Sequence, residues 1–253
     1  MIEKELSELA KKQLLDYRNY KPGSCFSNPN FSLGIKEAYL LQDMVTNLRI
    51  AEGEKVIGYK VGCTGPGTSA LFGMNGPIRG TLFREEALKT GVKINRNEFC
   101  NLAIEGEMAL NLDGHGNIKS VLPVIELHNF IFRGQKKTLS ELIANNGINA
   151  GVVLPNQEWF RPRACFNPDA KLSIKIDDSV VASGSLWPTN GGPEESLNWL
   201  GKNLMEYGIK LLPNYLILAG TALGLYPVKE GNKVALYIDD ILAVKCTIQK
   251  NIA

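Results

Sequence analysis

Ile104-Glu105-Gly106-Glu107-Met108-Ala109-Leu110, followed by Val124-Ile125-Glu126-Leu127-His128, is the stretch that decides how this chain folds. Apolar and carboxylate residues alternate in it with the period of a β-strand. Glu105 and Glu107 therefore share one face, about 7 Å apart along the strand. Glu126 closes a second apolar run. A strand buried on both faces seldom carries such acids unless a cation neutralises them, because an unpaired buried carboxylate is costly. Oxygen donors suit Mg²⁺, Mn²⁺ or Ca²⁺, and three carboxylates leave coordination positions open for water and a chelating substrate. A Glu-x-Glu pair also occurs on the solvent face of edge strands, so the spacing alone leaves both readings open. His128 lies two residues past Glu126 and shares its strand face. It is read as a partner of that carboxylate, as an acid/base group, or as packing.

Working outward, strand-like runs are expected at Val56 to Cys63, Glu98 to Leu112, Ile118 to His128, Asn149 to Leu154, Lys171 to Ile176, Val180 to Ser185, Tyr215 to Leu218, Lys233 to Ile238 and Ile241 to Ile248. Turn signals separate several of them: Asp113-Gly114-His115-Gly116-Asn117, Asp177-Asp178 and Asp239-Asp240. Before Val56 the period changes to that of a helix, in Leu6 to Leu15 and again in Ile35 to Ile50, around a Pro/Gly/Ser-rich loop from Lys21 to Ser32. Two further helices are expected, Leu139 to Asn145 and Pro193 to Tyr207, the latter opened by a proline and closed by Gly208. The chain thus reads as an α+β protein. A helical N-terminal segment (1–55) precedes a strand-rich catalytic domain (56–253), whose many non-local pairings point to a closed or rolled sheet.

With 28 basic and 26 acidic residues the net charge is +2, and the short Gln135-Lys136-Lys137 run builds no basic field, so a nucleic-acid partner is not expected. No apolar run reaches the length of a membrane-spanning helix. The start, Met1-Ile2-Glu3-Lys4-Glu5-Leu6, is charged and amphipathic, so no secretory signal is expected. Five cysteines (Cys25, Cys63, Cys100, Cys165 and Cys246) lack CxxC spacing, which fits free thiols in a cytoplasmic protein and no zinc site.

Several segments, in order, are similar to the 2-oxopent-4-enoate hydratase and 4-oxalocrotonate decarboxylase family, part of the fumarylacetoacetate hydrolase superfamily. They are Gly53-Glu54-Lys55-Val56-Ile57-Gly58-Tyr59-Lys60-Val61-Gly62-Cys63-Thr64, Gly80-Thr81-Leu82-Phe83, Glu105-Gly106-Glu107, Val121-Leu122-Pro123-Val124-Ile125-Glu126, Asn149-Ala150-Gly151-Val152-Val153 and Ile217-Leu218-Ala219-Gly220-Thr221. The resemblance implies a mixed β-roll of the fumarylacetoacetate hydrolase C-terminal type. It also implies Mg²⁺ or Mn²⁺ held by Glu105, Glu107 and Glu126, and a homo-oligomer. Lys60 matches the family's lysine. It orients the substrate carboxylate or carries a proton, unless it simply extends to solvent. Burial lowers a lysine's pKa and nearby carboxylates raise it, and the sequence leaves that balance open. By analogy, Thr64, Leu82 and Ser183 contribute hydroxyl or backbone donors to the substrate.

The chain departs from the family at Ile78, at Asn145-Asn146 and at Gly191-Gly192, and the connection between Glu107 and Glu126 is short. A pocket that has lost an acidic neighbour and holds Arg79 is expected either to receive a substrate with an extra carboxylate or to run a changed chemistry. The implied activity is hydration of a 2-hydroxypenta-2,4-dienoate-type acid through a metal-stabilised enolate. Decarboxylation of a 4-oxalocrotonate-type acid is the nearest alternative. Hydrolysis of an acylpyruvate ranks third, since no water-activating His–Glu pair is recognisable. A reading of another class is a noncatalytic structural partner of a lyase complex.

Overall fold

The computed structural model describes residues 3–21, 26, 31–64, 77–129 and 138–249. Most of the Lys21 to Ser32 loop, Cys25 and the Gln135-Lys136-Lys137 run lie outside that set. Two helices come first, α1 (Glu3–Arg18) and α2 (Ile35–Ala51), where the helical spacing predicts them. The strands are β1 (Val56–Gly62), β2 (Ile78–Phe83), β3 (Ala87–Lys89), β4 (Val92–Asn95), β5 (Leu102–Leu112), β6 (Ile118–Asn129), β7 (Asn149–Leu154), β8 (Lys171–Ile176), β9 (Ser179–Ser185), β10 (Leu216–Leu218), β11 (Leu225–Pro227), β12 (Lys233–Ile238) and β13 (Ile241–Gln249). Between them lie α3 (Leu139–Ala144) and α4 (Gly192–Glu206). One sheet has the order β2-β1-β10-β5-β6-β7-β3, with β11 paired to β5, and the second has the order β4-β13-β12-β8-β9.

The strand expected from Glu98 begins instead at Leu102, because Arg96–Glu98 forms a short 3-10 turn. β2 was not read as a strand. It is buried on both faces, so its sequence has no alternation to betray it. β3, β4 and β11 are too short to show a period.

The long β5–β6 hairpin sets the layers. Its turn is tied by the Asp113 carboxylate, which accepts from the His115 and Asn117 amides at 2.7 and 2.9 Å. From one face of the hairpin Ile104, Met108, Leu110, Val121, Ile125 and Leu127 join the large core formed with Leu172, Ile174, Val234, Leu236 and Val244 of the second sheet. Gly106 lies on that face, and a Cβ there would come 2.5 Å from Leu236 Cδ1. The glycine between the two glutamates thus lets the second sheet pack closely behind them. The opposite face carries Ala109, Leu122 and Val124, which cluster with Leu82, Val152, Leu216 and Leu218 of the same sheet. A sheet whose strands bury one face against each other is curled into a roll.

The roll closes through a side chain. Asn146 accepts from the Thr81 amide through Oδ1 at 2.6 Å and donates from Nδ2 to the Thr81 carbonyl at 2.9 Å, standing in for a strand beside β2. Asn146, Gly147 and Ile148 all have left-handed φ values of 57–60°. For a β-branched residue such as Ile148 that is an outlier, tolerated only where the surroundings over-determine it.

The outer side of β2 is covered by α2, and here Arg79 departs from expectation. Its guanidinium is fully buried. It grips Asp43 through both terminal nitrogens at 2.8 Å, donates to Gln42 at 2.8 Å and to Asn203 at 2.9 Å, and lies over the Tyr39 and Tyr207 rings. Arg79 therefore clamps helices to the sheet and is not free to receive a substrate carboxylate. Gly80 and Leu82, its neighbours in alternation, face the interior instead. Asp43→Ala should strand this buried charge and cost about 3–5 kcal/mol. Equilibrium urea unfolding measures it, and a loss below about 1 kcal/mol would show that the clamp contributes little.

Candidate active site

The antiparallel register of β5 and β6 pairs Glu105 with Glu126, Glu107 with Val124 and Ala103 with His128. Directly opposed residues share a face, so the three glutamates and His128 all point into the roll. Lys60 enters from β1. It sits beside Leu218 of β10, which in turn pairs with Ala109 of β5. On a flat sheet β1 and β6 would be about 14 Å apart. The curl brings Lys60 Nζ within 3.2 Å of Glu126 Oε1, with the two side chains 4% and 0% exposed.

Room for the lysine is made by glycines. A Cβ at Gly62 would lie 2.6 Å from Lys60 Nζ, and one at Gly147 would lie 2.7 Å from Lys60 Cε. At Gly80 a Cβ would meet the Asn146 carbonyl at 2.4 Å and Lys60 Cγ at 3.2 Å. Asn149, which the sequence reading did not single out, donates from Nδ2 to Glu126 Oε1 at 2.7 Å while its Oδ1 accepts from the Gly151 amide at 3.3 Å. Glu126 is thereby held from two sides. Glu107 Oε2 accepts from the Gly220 amide at 3.2 Å.

His128 Nε2 lies 3.1 Å from Glu105 Oε2 and 3.4 Å from Glu126 Oε2. A His–Glu pair, unrecognised in the sequence, thus exists across the ladder. It was hidden because its members are 23 residues apart in the chain.

Charge decides the protonation states. Burial lowers the pKa of Lys60, but Glu126, Glu105 and Glu107 outweigh it and hold the lysine above its ordinary value. The balance left open by the sequence therefore falls to the carboxylates. Burial likewise works against His128, and Glu126 and Glu105 raise it to about 9. For Glu126, burial is overcome by His128 and Lys60, which keep its carboxyl well below the usual range. Glu107 goes the other way: burial, then the charges of Glu126 and Glu105, push it well above that range.

Among the described residues, Glu107 Oε1, Glu126 Oε2 and His128 Nδ1 are buried without a hydrogen-bond partner. One donor atom from each of Glu105, Glu126 and His128 lies within 4.8 Å of the others. Three buried or half-buried carboxyl groups turned into one cluster offer the oxygen donors that suit a hard divalent cation. Thr64 stands beside Gly220, where an added Cβ would touch its Oγ1 at 2.5 Å, and so adjoins the loop that holds Glu107. Leu82 is buried in the apolar cluster on the face of Lys60. Ser183 does not join them. It is exposed on the second sheet, its hydroxyl 2.8 Å from that of Ser173.

No protein-family model matches the chain. Its sequence is 26% identical to 2-oxo-hept-4-ene-1,7-dioate hydratase of Escherichia coli, covering 84% of this chain and 86% of that enzyme. Its structure superposes on 4-oxalocrotonate decarboxylase from Pseudomonas putida G7, complexed with magnesium and adipate, with a TM-score of 0.90 at 18% identity, over 98% of each chain. The fold is that of 4-oxalocrotonate decarboxylase. It extends more loosely to fumarylacetoacetate hydrolase from Exiguobacterium antarcticum, at a TM-score of 0.52 and 14% identity over 78% of this chain and 76% of that one. The resemblance read from the sequence, to hydratases and decarboxylases, is borne out, and so is the α+β roll with its helical start.

Because Glu107 favours its neutral form in the metal-free fold, its ionisation at neutral pH opposes folding. Replacing it by an amide removes that penalty and keeps an acceptor for the Gly220 amide. Metal-free Glu107→Gln should therefore melt no lower than the wild type at pH 7, and above it if the penalty is large. A melting temperature several degrees lower would show that the carboxylate holds the metal-free fold together.

Proposed function

We propose that the chain is a divalent-metal-dependent lyase acting on a small 2-oxo or 2-hydroxydienoate acid, with hydration of a 2-hydroxypenta-2,4-dienoate-type substrate as its reaction. The observation that carries this reading is the convergence of three glutamate carboxyl groups and the Lys60 amine, 3.2 Å from Glu126, inside one roll. The fold shared with a decarboxylase complexed with magnesium and the sequence likeness to a hydratase both support it.

Glu105, Glu107 and Glu126 would hold Mg²⁺ or Mn²⁺. Once bound, that cation supplies a Lewis acid for the carboxylate and keto oxygens of a 2-oxo acid. The chain's own residues do the rest. Lys60 is fixed against Glu126, walled by glycines and protonated, so it can donate to a substrate oxygen or deliver a proton to carbon. Asn149 keeps Glu126 from turning away. Glu105, at 16% side-chain exposure, is the member of the cluster nearest solvent and marks its mouth. Thr64 is kept as a hydroxyl donor toward the substrate and Leu82 as an apolar wall, while Arg79 and Ser183 are set aside.

Decarboxylation is the second reading, favoured by the close superposition on the decarboxylase. It uses the same proton delivery but no water. Hydrolysis ranks third, because Glu126 and Glu105 raise the pKa of His128 to about 9 and so oppose its taking a proton from water. Cys63, Cys100, Cys165 and Cys246 form no disulfide, which supports a cytoplasmic site of action. No helix among the described residues is long and apolar enough to cross a membrane. A homo-oligomer, alone or joined to a related lyase, completes the proposal, and sedimentation velocity tests it.

Calorimetric titration of metal-free protein with Mg²⁺ and Mn²⁺, repeated with oxalate as a mimic of the chelating acid, is the direct test. Oxalate should bind only when metal is present. Oxalate binding without metal, or no metal binding at all, would overturn the reading. Lys60→Met should keep metal-dependent oxalate binding yet lower dienoate turnover, followed by ultraviolet absorbance, by about 10²- to 10⁴-fold. Undiminished turnover would remove Lys60 from the chemistry.

A further inference from the structure

His128 is a buried imidazole on the strand face that carries Leu122, Val124 and Glu126 of β6 and Glu105, Glu107 and Ala109 of β5. What the ring faces is specific. Nε2 is turned to Glu105 Oε2 at 3.1 Å and to Glu126 Oε2 at 3.4 Å, the two carboxylates paired directly across the β5–β6 ladder. On its other side Nδ1 has no partner among the described residues, so no hydrogen bond there fixes the ring. The donor atoms of these three residues lie within 4.8 Å of one another, a spacing that one cation can bridge.

We propose that His128 contributes Nε2 as a nitrogen ligand to the cation shared by Glu105 and Glu126, the ion displacing the Nε2 proton to solvent, making this a mixed nitrogen–oxygen site that favours Mn²⁺ and later first-row divalent ions over Mg²⁺. This rests on the reading of the glutamates as a metal site and specifies which ion they take. Mg²⁺ holds to oxygen donors and keeps much of its water, whereas imidazole suits Mn²⁺, Fe²⁺, Co²⁺ and Zn²⁺ progressively better. An all-carboxylate site has no such bias beyond the general order of affinities.

The test uses Mn²⁺ as both ligand and probe. Pulsed electron paramagnetic resonance of the Mn²⁺-loaded protein should show the modulation of a directly bound nitrogen. That modulation should vanish in His128→Leu and persist in His115→Ala, the other histidine lying in the exposed β5–β6 turn. Calorimetry should show the preference for Mn²⁺ over Mg²⁺ falling in His128→Leu by at least about tenfold, the smaller loss known for removing even an outer partner of a ligand. His128→Gln, which keeps a polar side chain of similar length, guards against a variant that fails to fold, and it too should lose the nitrogen signal. Mn²⁺ that binds the wild type without nitrogen modulation would overturn the proposal while leaving the carboxylate site standing. Modulation that survives in both His128 variants would overturn it in favour of another nitrogen. Failure of the wild type to bind Mn²⁺ or Mg²⁺ would overturn the metal reading itself, and this proposal with it.

Discussion

A lysine ammonium 3.2 Å from a fully buried carboxylate, reached across the inside of a curled sheet, is the contact on which the rest of this structure depends. Neither charge is tolerable alone at that depth. The sheet must curl for them to meet, because their strands are separated by two others. The curl in turn needs backbone where side chains would ordinarily stand, which is why Gly62, Gly80 and Gly147 surround the lysine stem. It also needs a closure. Asn146 provides one by offering Thr81 the donor and acceptor of a strand that is not there.

The same alternation that points the glutamates inward points their neighbours outward. Ile104, Met108 and Leu110 bind the hairpin to the second sheet, and Gly106 allows the approach to be close. One eleven-residue strand thus serves two cores, a dry one behind and a charged one in front. The arginines belong to neither. Arg79 of β2 and Arg49 of α2 lie between that strand and that helix, each on aromatic rings and each paired with carboxylates: Asp43 for Arg79, Glu54 and Glu86 for Arg49. Because all these pairs are hydrogen-bonded as well as charged, they anchor the helices without lending a cation to the interior.

Much of this is legible in the sequence where a period exists to be read. The alternation around Glu105 and Glu126 fixes their faces, and a hairpin turn of Asp113 to Asn117 fixes their register, so the carboxylate cluster can be anticipated from residues alone. Lys60 comes from resemblance, and nothing in its spacing reports a contact with β6. Arg79 was misjudged for a physical reason: in a strand buried on both faces, residue type does not say which face meets the site and which meets a helix. Asn146, Asn149 and the His128–Glu105 pair were missed because each acts through tertiary proximity, across 65, 23 and 23 residues of chain. Ser183 was carried in by analogy, and its strand proves to face outward in the other sheet.

The interior is a compromise between folding and chemistry. Two cationic side chains face three carboxyls, and the protein resolves the surplus by keeping Glu126 ionised between Lys60 and His128 and driving Glu107 toward its neutral form. A pocket built only for stability would drop the third acid. Keeping it leaves Glu107 buried beside the charges of Glu126 and Glu105, which hold its carboxyl toward the neutral form. Under the proposed function a divalent cation would reverse that preference and turn this carboxyl into a ligand. On that reading the carboxyl that most opposes folding without metal is one that would gain most from the ion, and metal affinity would draw on the same repulsion that the fold has to bear.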